Sequence, residues 1–379
     1  MAGIDALLTP LSLRGCRLAN RVAMAPMSRY ASPGGVPTDA VAAYYARRAA
    51  TGLGLIITEG VGIAHPKAVD HPGVPRLAGE AALAGWLQVV EAVHEAGGVI
   101  WPQLWHQGVM WNVEYDGGRS GGLRPSGLWG PADGTISIPE ASRAAALAET
   151  AAMTDSDIQD VIDGYARSAR HARALGFDGI AIHGAHGYLI DTFLWGFTNR
   201  RTDRWGGDAR GRTEFGAAVI RAIRREIGEA MPIALRFSQF KMQDYRALLA
   251  ATPDELGALL QPLAEAGVDL FDGSQRFFDT PIFEGSQLNL AGWAKKLTGK
   301  PSMTVGGIGL AKSGGPARHI DTSQQSADNL GRVIERFERG EFDLVGVGRS
   351  ILNDPNWFAK AKAGAPFEPF DPRNLEILT

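Results

Sequence analysis

One cysteine in 379 residues, Cys16, has no partner for an internal disulfide, a cysteine-based zinc site or an iron–sulfur cluster. Any redox chemistry therefore has to run on a bound cofactor. No run of 18 apolar residues occurs, which excludes a membrane-spanning helix. Neither sign of charge is in excess: 38 Lys and Arg face 41 Asp and Glu, a net charge of −3. That balance leaves no electrostatic footprint for nucleic acid or an anionic membrane, so the expected partners are small molecules. Residues 1–13 hold no basic residue and no apolar core of a secretory signal, and a cytoplasmic location is the expectation.

What the chain does have is 45% hydrophobic and 21% charged residues, the balance of a globular protein with a proper core. Its 48 glycines are roughly twice the usual share, and they stand singly or in pairs at the ends of apolar runs, as turn punctuation. At about 150 residues per domain the length suits two or three domains, or one large α/β barrel. Short apolar runs fall at 21–26, 54–59, 99–104, 179–183, 232–237, 268–274, 302–306 and 343–348. Between them, 39–50, 80–96, 155–175, 209–227, 252–266 and 326–340 repeat apolar residues at three and four, the helical period. Thr154 and Asp157 have the spacing of a capping box. Eight β-then-α units whose strands are apolar on both faces predict a closed (β/α)8 TIM barrel, with an open doubly wound sheet as the alternative. Two interruptions, 105–150 and 187–208, follow the third and fourth strands, on the side of a barrel where active sites form. The first is expected to be a lid-like excursion, and residues 1–379 a single barrel domain.

The fourth strand ends in His183-Gly184-Ala185-His186-Gly187-Tyr188, two imidazoles three residues apart with a phenol two further on. Three readings are open from the residues: a metal site, a clamp of two N–H donors on a carbonyl oxygen with Tyr188 moving a proton, or ordinary loop residues. No HExxH pattern supports the metal. The last two strands run into Gly306-Gly307 and Gly348-Arg349, a pair of loops where barrels frequently seat a phosphate. Arg236, inside an apolar strand, needs an anionic partner, either an acid such as Glu59 or Asp272 or an anionic ligand. Gln103 ends the third strand with an amide that is either satisfied in the core or offered to a ligand.

With these residues in place the chain resembles the old yellow enzyme family of FMN-dependent ene-reductases, from about Leu8 to Gly364. The resemblance rests on Asn20-Arg21-Val22-Ala23-Met24-Ala25-Pro26-Met27-Ser28-Arg29, Thr58-Glu59-Gly60, Gln103-Leu104-Trp105-His106 and Gly176-Phe177-Asp178-Gly179 leading into His183 and Tyr188. It continues through Asn199-Arg200-Arg201-Thr202-Asp203-Arg204-Trp205-Gly206-Gly207, Arg236 and Gly348-Arg349.

The resemblance implies non-covalent FMN, with NADH or NADPH as a transient reductant docking without a dinucleotide-binding domain of its own. It places Ala25, Pro26, Met27, Ser28 and Gly60 along the flavin ring, Gln103 at its pyrimidine edge and Arg236 on the N1 side. Gly306, Gly307, Gly348 and Arg349 would hold the phosphate. His183 and His186 would bind a substrate carbonyl oxygen, Tyr188 would donate the proton, and Tyr30 would flank the substrate. The implied reaction is ping-pong reduction of the C=C bond of an enone-type compound, and phenols would bind with a charge-transfer band. Nitro or nitrate-ester reduction, or oxidative amine demethylation, are alternatives on the same scaffold. A hydrolase with a metal on His183 and His186, or a non-catalytic flavin carrier, are further ones. Departures from the family pattern are His186 where other members have Asn, Ser28 where they have Thr or Cys, and Trp205 for Tyr. His106-Gln107-Gly108-Val109 also replaces a His-Ala-Gly-Arg run. The pocket set by 105–150 and 275–284, the physiological substrate and the assembly, a homodimer included, stay open.

Overall fold

The computed structural model describes residues 4–111, 122–134, 140–311 and 328–379. An antiparallel hairpin comes first, β1 (Leu11–Leu13) and β2 (Cys16–Leu18). Eight parallel strands follow: β3 (Val22–Met24), β4 (Leu55–Gly62), β5 (Ile100–Trp105), β6 (Ile180–His183), β7 (Ile233–Ser238), β8 (Leu270–Ser274), β9 (Ser302–Val305) and β10 (Leu344–Val347). They form a closed barrel, since β10 pairs with β3 and sets Val345 opposite Val22. The TIM barrel expected from the sequence is therefore the architecture, each of the eight apolar runs lies on one of its strands, and the open sheet is overturned.

Helices cover the outside: α1 (Asp39–Ala49), α2 (Glu80–Glu95), α3 (Glu140–Leu147), α4 (Asp155–Ala174), α5 (Leu189–Leu194), α6 (Glu214–Ile227), α7 (Pro253–Ala266), α8 (Leu290–Thr298), α9 (Leu330–Glu338), α10 (Arg349–Asn353) and α11 (Trp357–Ala363). The capping box is present: the Thr154 side chain accepts from the Asp157 N–H, and the Asp157 carboxylate accepts from the Thr154 N–H. Helical periodicity alone did not reveal α3, α5, α8, α10 and α11, which span nine residues or fewer. Fewer than three turns is too short a window for the apolar period to emerge, and α5 is buried along its whole length. The helix expected from residue 209 starts at Glu214, because Gly211–Thr213 forms a 3-10 turn. The hairpin was also unforeseen. Within the excursion, 112–121 and 135–139 lie outside the described residues, as do 326–327 of the helix read at 326–340. Its described part leans on the second interruption, where Arg201 donates to the Pro125 carbonyl (2.8 Å) and the Arg200 N–H to Ser126 Oγ (2.8 Å). Among the described residues no helix is long and apolar enough to cross a membrane.

Strand alternation decides what fills the barrel. Successive side chains point to opposite faces, so one residue in two faces inward. Ala23, Leu55, Trp101, Ala181, Ala234, Leu270, Met303 and Leu344, one from each strand, form an apolar floor, closed from below by Leu13, Cys16 and Leu18 of the hairpin. The Cys16 thiol, buried there, is pushed up to about 11, chiefly by burial, which leaves it protonated and unreactive. Two residues further along the strands, the inward positions become Gln103, His183, Arg236 and Asp272, all buried. The same period that builds the floor thus delivers polar groups to the mouth, where the apolar neighbours can no longer exclude a ligand.

Trp101 is fully buried in that floor. Trp101→Ala removes its contacts and leaves a void, so we expect a loss of about 3–5 kcal/mol of stability, read as a lower urea midpoint with unchanged slope.

Candidate active site

A cavity of about 720 Å³ opens at the C-terminal ends of the strands. Its walls include Ala25, Pro26, Met27, Tyr30, His186, Arg236, Gly306, Gly307, Gly348 and Arg349, gathered from five strand ends. Ser28, Gly60, Gln103, His183 and Tyr188 are not among its walls. Tyr188 faces a smaller cleft of about 370 Å³ together with Trp105 and Gln107, and Tyr30 borders both spaces. Ser28 is exposed beside the cavity.

Gly60 owes its place to a β-bulge. The register of β4 against β5 runs Ile57 opposite Trp101 and then Gly60 opposite Gln103, so β4 carries one extra residue. Gln103 is buried and its Nε2 has no hydrogen-bond partner among the described residues. An amide donor left open in this way is costly unless something accepts from it.

Of the two acids that could have answered Arg236, Asp272 does: Nε stands 2.8 Å from Asp272 Oδ2, with both side chains buried. Among the described residues Arg236 Nε has no partner besides this ion-pair contact, and Asp272 Oδ1 has none. Burial pushes the Asp272 carboxyl up, and the Arg236 charge opposes that shift. The arginine is thus held by a carboxylate while its guanidinium still borders the cavity.

Glu59 has a different task. Its Oε2 accepts the backbone N–H groups of Arg29 (2.8 Å) and Tyr30 (3.4 Å), tying down the loop that follows β3. Tyr30 there adopts φ 55, a left-handed conformation that a non-glycine residue keeps only under restraint. Burial pushes the Glu59 carboxyl up to about 7, against the two backbone donors.

The loops of β9 and β10 form the far wall. Gly306 has φ 144, and a Cβ there would overlap the carbonyl of Gln275, so only glycine lets the loops approach. Arg349 opens α10, which has five residues and therefore little dipole, so the guanidinium and the open glycine backbone are what this wall offers an anion.

His183, His186 and Tyr188 come together between the two spaces. Ring centroids lie 5.1 Å apart for the two histidines and 4.8 Å for His183 and Tyr188, with Trp105 packed edge-on against Tyr188 at 4.9 Å. His186 Nε2 sits 2.9 Å from Ser274 Oγ, and His183 Nδ1 is buried without a hydrogen-bond partner among the described residues. Burial drives both imidazoles well below their ordinary value, and for His186 the neighbouring His183, Arg236 and Lys241 add to it. The Tyr188 hydroxyl is pushed up, chiefly by burial. The pair is therefore neutral and the phenol protonated at neutral pH. Among the described residues no group of three His, Cys, Asp or Glu gathers in a metal-binding cluster. Sequence reasoning missed Ser274 and Trp105 as supports of this set; their signal is the inward alternation on β8 and β5, two residues beyond Asp272 and Gln103.

These features fit FMN. A buried amide nitrogen without a partner among the described residues and an arginine that borders the cavity match the polar rim of a flavin, apolar Ala25 and Met27 suit its faces, and glycine backbone with Arg349 suits its phosphate.

The model of the NADH:flavin oxidoreductase / NADH oxidase family matches residues 6–314. The chain is 32% identical to a chanoclavine-I aldehyde reductase of Penicillium roqueforti over 385 residues, 96% of this chain and 91% of that one. Its fold is similar to that of an old yellow enzyme homologue from Zymomonas mobilis, with TM-score 0.79, 26% identity, and 98% and 97% of the two chains covered. Morphinone reductase in complex with tetrahydroNAD is similar at TM-score 0.78 and 28% identity, over 97% and 93%. The chain belongs to the old yellow enzyme family of NADH:flavin oxidoreductases. It is an oxidoreductase that works with FMN and a reduced nicotinamide.

Glu59 gives a pH test. Its carboxyl sits at about 7 in the fold against an ordinary 4.5, so the folded state keeps a proton that the unfolded chain releases. Its contribution is whole below about pH 4.5 and is lost as pH rises through 7, in all roughly 3 kcal/mol. Stability of the parent relative to Glu59→Gln, from denaturant unfolding between pH 4.5 and 8, should fall over that window and level off above it.

Proposed function

We propose that this chain reduces the activated C=C bond of α,β-unsaturated carbonyl compounds in a ping-pong cycle, with FMN held non-covalently and NADH or NADPH as the reductant. The observation that carries the reading is the meeting of His183, His186 and Tyr188 at one edge of the large cavity, two neutral imidazoles beside a protonated phenol. The relatives named as reductases of chanoclavine-I aldehyde and of morphinone are in keeping with a carbonyl-bearing substrate.

FMN, when bound, would supply the hydride-transfer chemistry. The chain would supply the rest. Gln103 would hold the pyrimidine edge, Ser28 the O4 edge, and Ala25, Pro26, Met27 and Gly60 the ring surface. Arg236, kept in place by Asp272, would present a positive charge to the N1 side, where it would stabilise negative charge. Gly306, Gly307, Gly348 and Arg349 would take the phosphate. His183 and His186 each donate one N–H to the carbonyl oxygen, with His186 steadied by Ser274. Donors aimed at an oxygen that gains charge in a dry site are worth roughly 3–4 kcal/mol each, and drawing electrons toward oxygen leaves Cβ electron-poor. Tyr188 hands its proton to Cα, and Tyr30 borders the substrate at the cavity entrance.

Arg349→Ala should weaken FMN retention by about 2–4 kcal/mol while leaving the chemistry of the protein that still holds flavin largely intact. Flavin released on dialysis measures it, and retention equal to the parent's refutes the phosphate assignment. Chromatography of the heat-released flavin should find FMN; FAD would sink the reading.

Tyr188→Phe separates the two half-reactions. Reduction by NADH or NADPH needs no proton from the phenol and should keep its parental rate. Single-turnover reoxidation by cyclohexenone should slow by a factor of about 10² to 10⁴, the usual worth of general-acid catalysis. A benzoquinone, protonated on oxygen, should reoxidise the variant nearly as fast as the parent. Small, equal losses with both acceptors would remove Tyr188 as the donor.

A further inference from the structure

His183 ends β6, but His186 sits on a turn whose own closing bond is a long one, Tyr188 N–H to the Ala185 carbonyl at 3.3 Å. His186 (φ 64) and Gly187 (φ 80) are consecutive left-handed residues, and for a histidine that conformation is unfavourable. At Gly187 any Cβ would overlap the Gln243 side-chain amide. The other partners of this turn come from the end of β7, the segment that follows it, and α5. The His186 N–H donates to Ser238 Oγ (2.9 Å), and the His186 carbonyl accepts from the Met242 N–H (3.1 Å). The Gly187 carbonyl accepts from Gln243 Nε2 (2.9 Å), and the Gly187 N–H donates to Asp191 Oδ2 (2.6 Å).

Asp191 is tied in turn to Lys241, whose Nζ lies 2.7 Å from Asp191 Oδ1 and also donates to the Ser238 carbonyl (3.2 Å). Both side chains are 0% exposed. Burial pushes the carboxyl up and the ammonium down, and their mutual attraction opposes both shifts. Neither side chain lines either space at the mouth. A buried ion pair is a poor way to stabilise a fold, because removing two charges from water offsets most of their attraction. What Asp191 adds is an acceptor for the Gly187 N–H, and Lys241 is the counter-charge that lets the carboxylate be buried there.

We propose that the Asp191 side chain, buried by its pairing with Lys241, is the positioning group of this active site: its second oxygen, as acceptor of the Gly187 N–H, holds the left-handed turn at 186–187 so that His186 and Tyr188 converge with His183 on one substrate oxygen. Asp191 and Lys241 touch neither substrate nor flavin; they act through Gly187. The inference rests on the reading above that the imidazole pair binds an oxygen carrying negative charge.

The test uses flavin-loaded protein titrated with 4-hydroxybenzaldehyde and read by long-wavelength absorbance, alongside thermal stability and KM and kcat for cyclohexenone. Asp191→Leu with Lys241→Met removes both charges and the acceptor of the Gly187 N–H. It should bind the phenol at least 10-fold more weakly and raise KM, while keeping its flavin and melting close to the parent. Asp191→Asn with Lys241→Met also removes both charges but leaves an acceptor at Gly187, and should return the phenol affinity to within about 3-fold of the parent. Parental affinity in the Leu/Met pair overturns the proposal, as does an Asn/Met pair as weak as Leu/Met. If Leu/Met yields no flavin-loaded protein, Asp191→Ser with Lys241→Met, too short to reach the Gly187 N–H, takes its place under the same criteria. Failure of both to fold while Asn/Met folds assigns the pair to the fold alone and also overturns the proposal. A parent that gives no phenol band at all refutes the imidazole-pair reading instead, which keeps the two failures apart.

Discussion

Closure of the parallel sheet is the constraint on which the rest of the structure depends. Once β10 pairs with β3, each strand's inward residues are committed to a common interior and the outward ones to helices. The interior is then layered by a period of two. Apolar residues occupy the floor, and the next inward position on β5, β6, β7 and β8 is Gln103, His183, Arg236 or Asp272. Lateral register does the remaining work, setting His183 opposite Arg236 and Arg236 opposite Asp272.

The mouth built in this way is electrostatically uneven. A carboxylate-held arginine borders the cavity, and two imidazoles kept neutral by burial stand beside it. The arrangement offers donors and a fixed positive charge without leaving a mobile cation to be neutralised by solvent. Besides Arg14 in the hairpin, the non-glycine residues at positive φ among those described are Tyr30 and His186, and a buried carboxyl stands behind each, Glu59 for the first and Asp191 for the second. Strain of this kind persists only where neighbours over-determine it. Both carboxyl groups accept backbone N–H groups at or beside residues that line the large cavity, Tyr30 and His186.

Much of the design is readable in one dimension. Eight apolar runs, the glycine punctuation after the seventh and eighth of them, and the lone cysteine are local properties, and they suffice for the barrel class, for the phosphate-loop candidates and for the need of a cofactor. The capping box at Thr154 is local for the same reason: donor and acceptor are three residues apart. Short helices such as α5 and α8 are not readable, because their few residues are too small a sample of a 3.6-residue period and their burial comes from neighbours.

Motif order along the chain therefore determines the family, the cofactor class and the identity of the polar groups at the strand ends. Only the tertiary structure decides which groups meet. Nothing in the linear sequence distinguishes Glu59 from Asp272 as the partner of Arg236; the register of β7 against β8 does. Ser274 and His186 stand 88 positions apart and Lys241 and Asp191 stand 50 apart, and their contacts exist only after the barrel has closed. The physical reason is the same in each case. Periodicity and turn chemistry act over a few residues, whereas a hydrogen bond or ion pair between strands depends on shear and register, which the closed sheet sets as a whole.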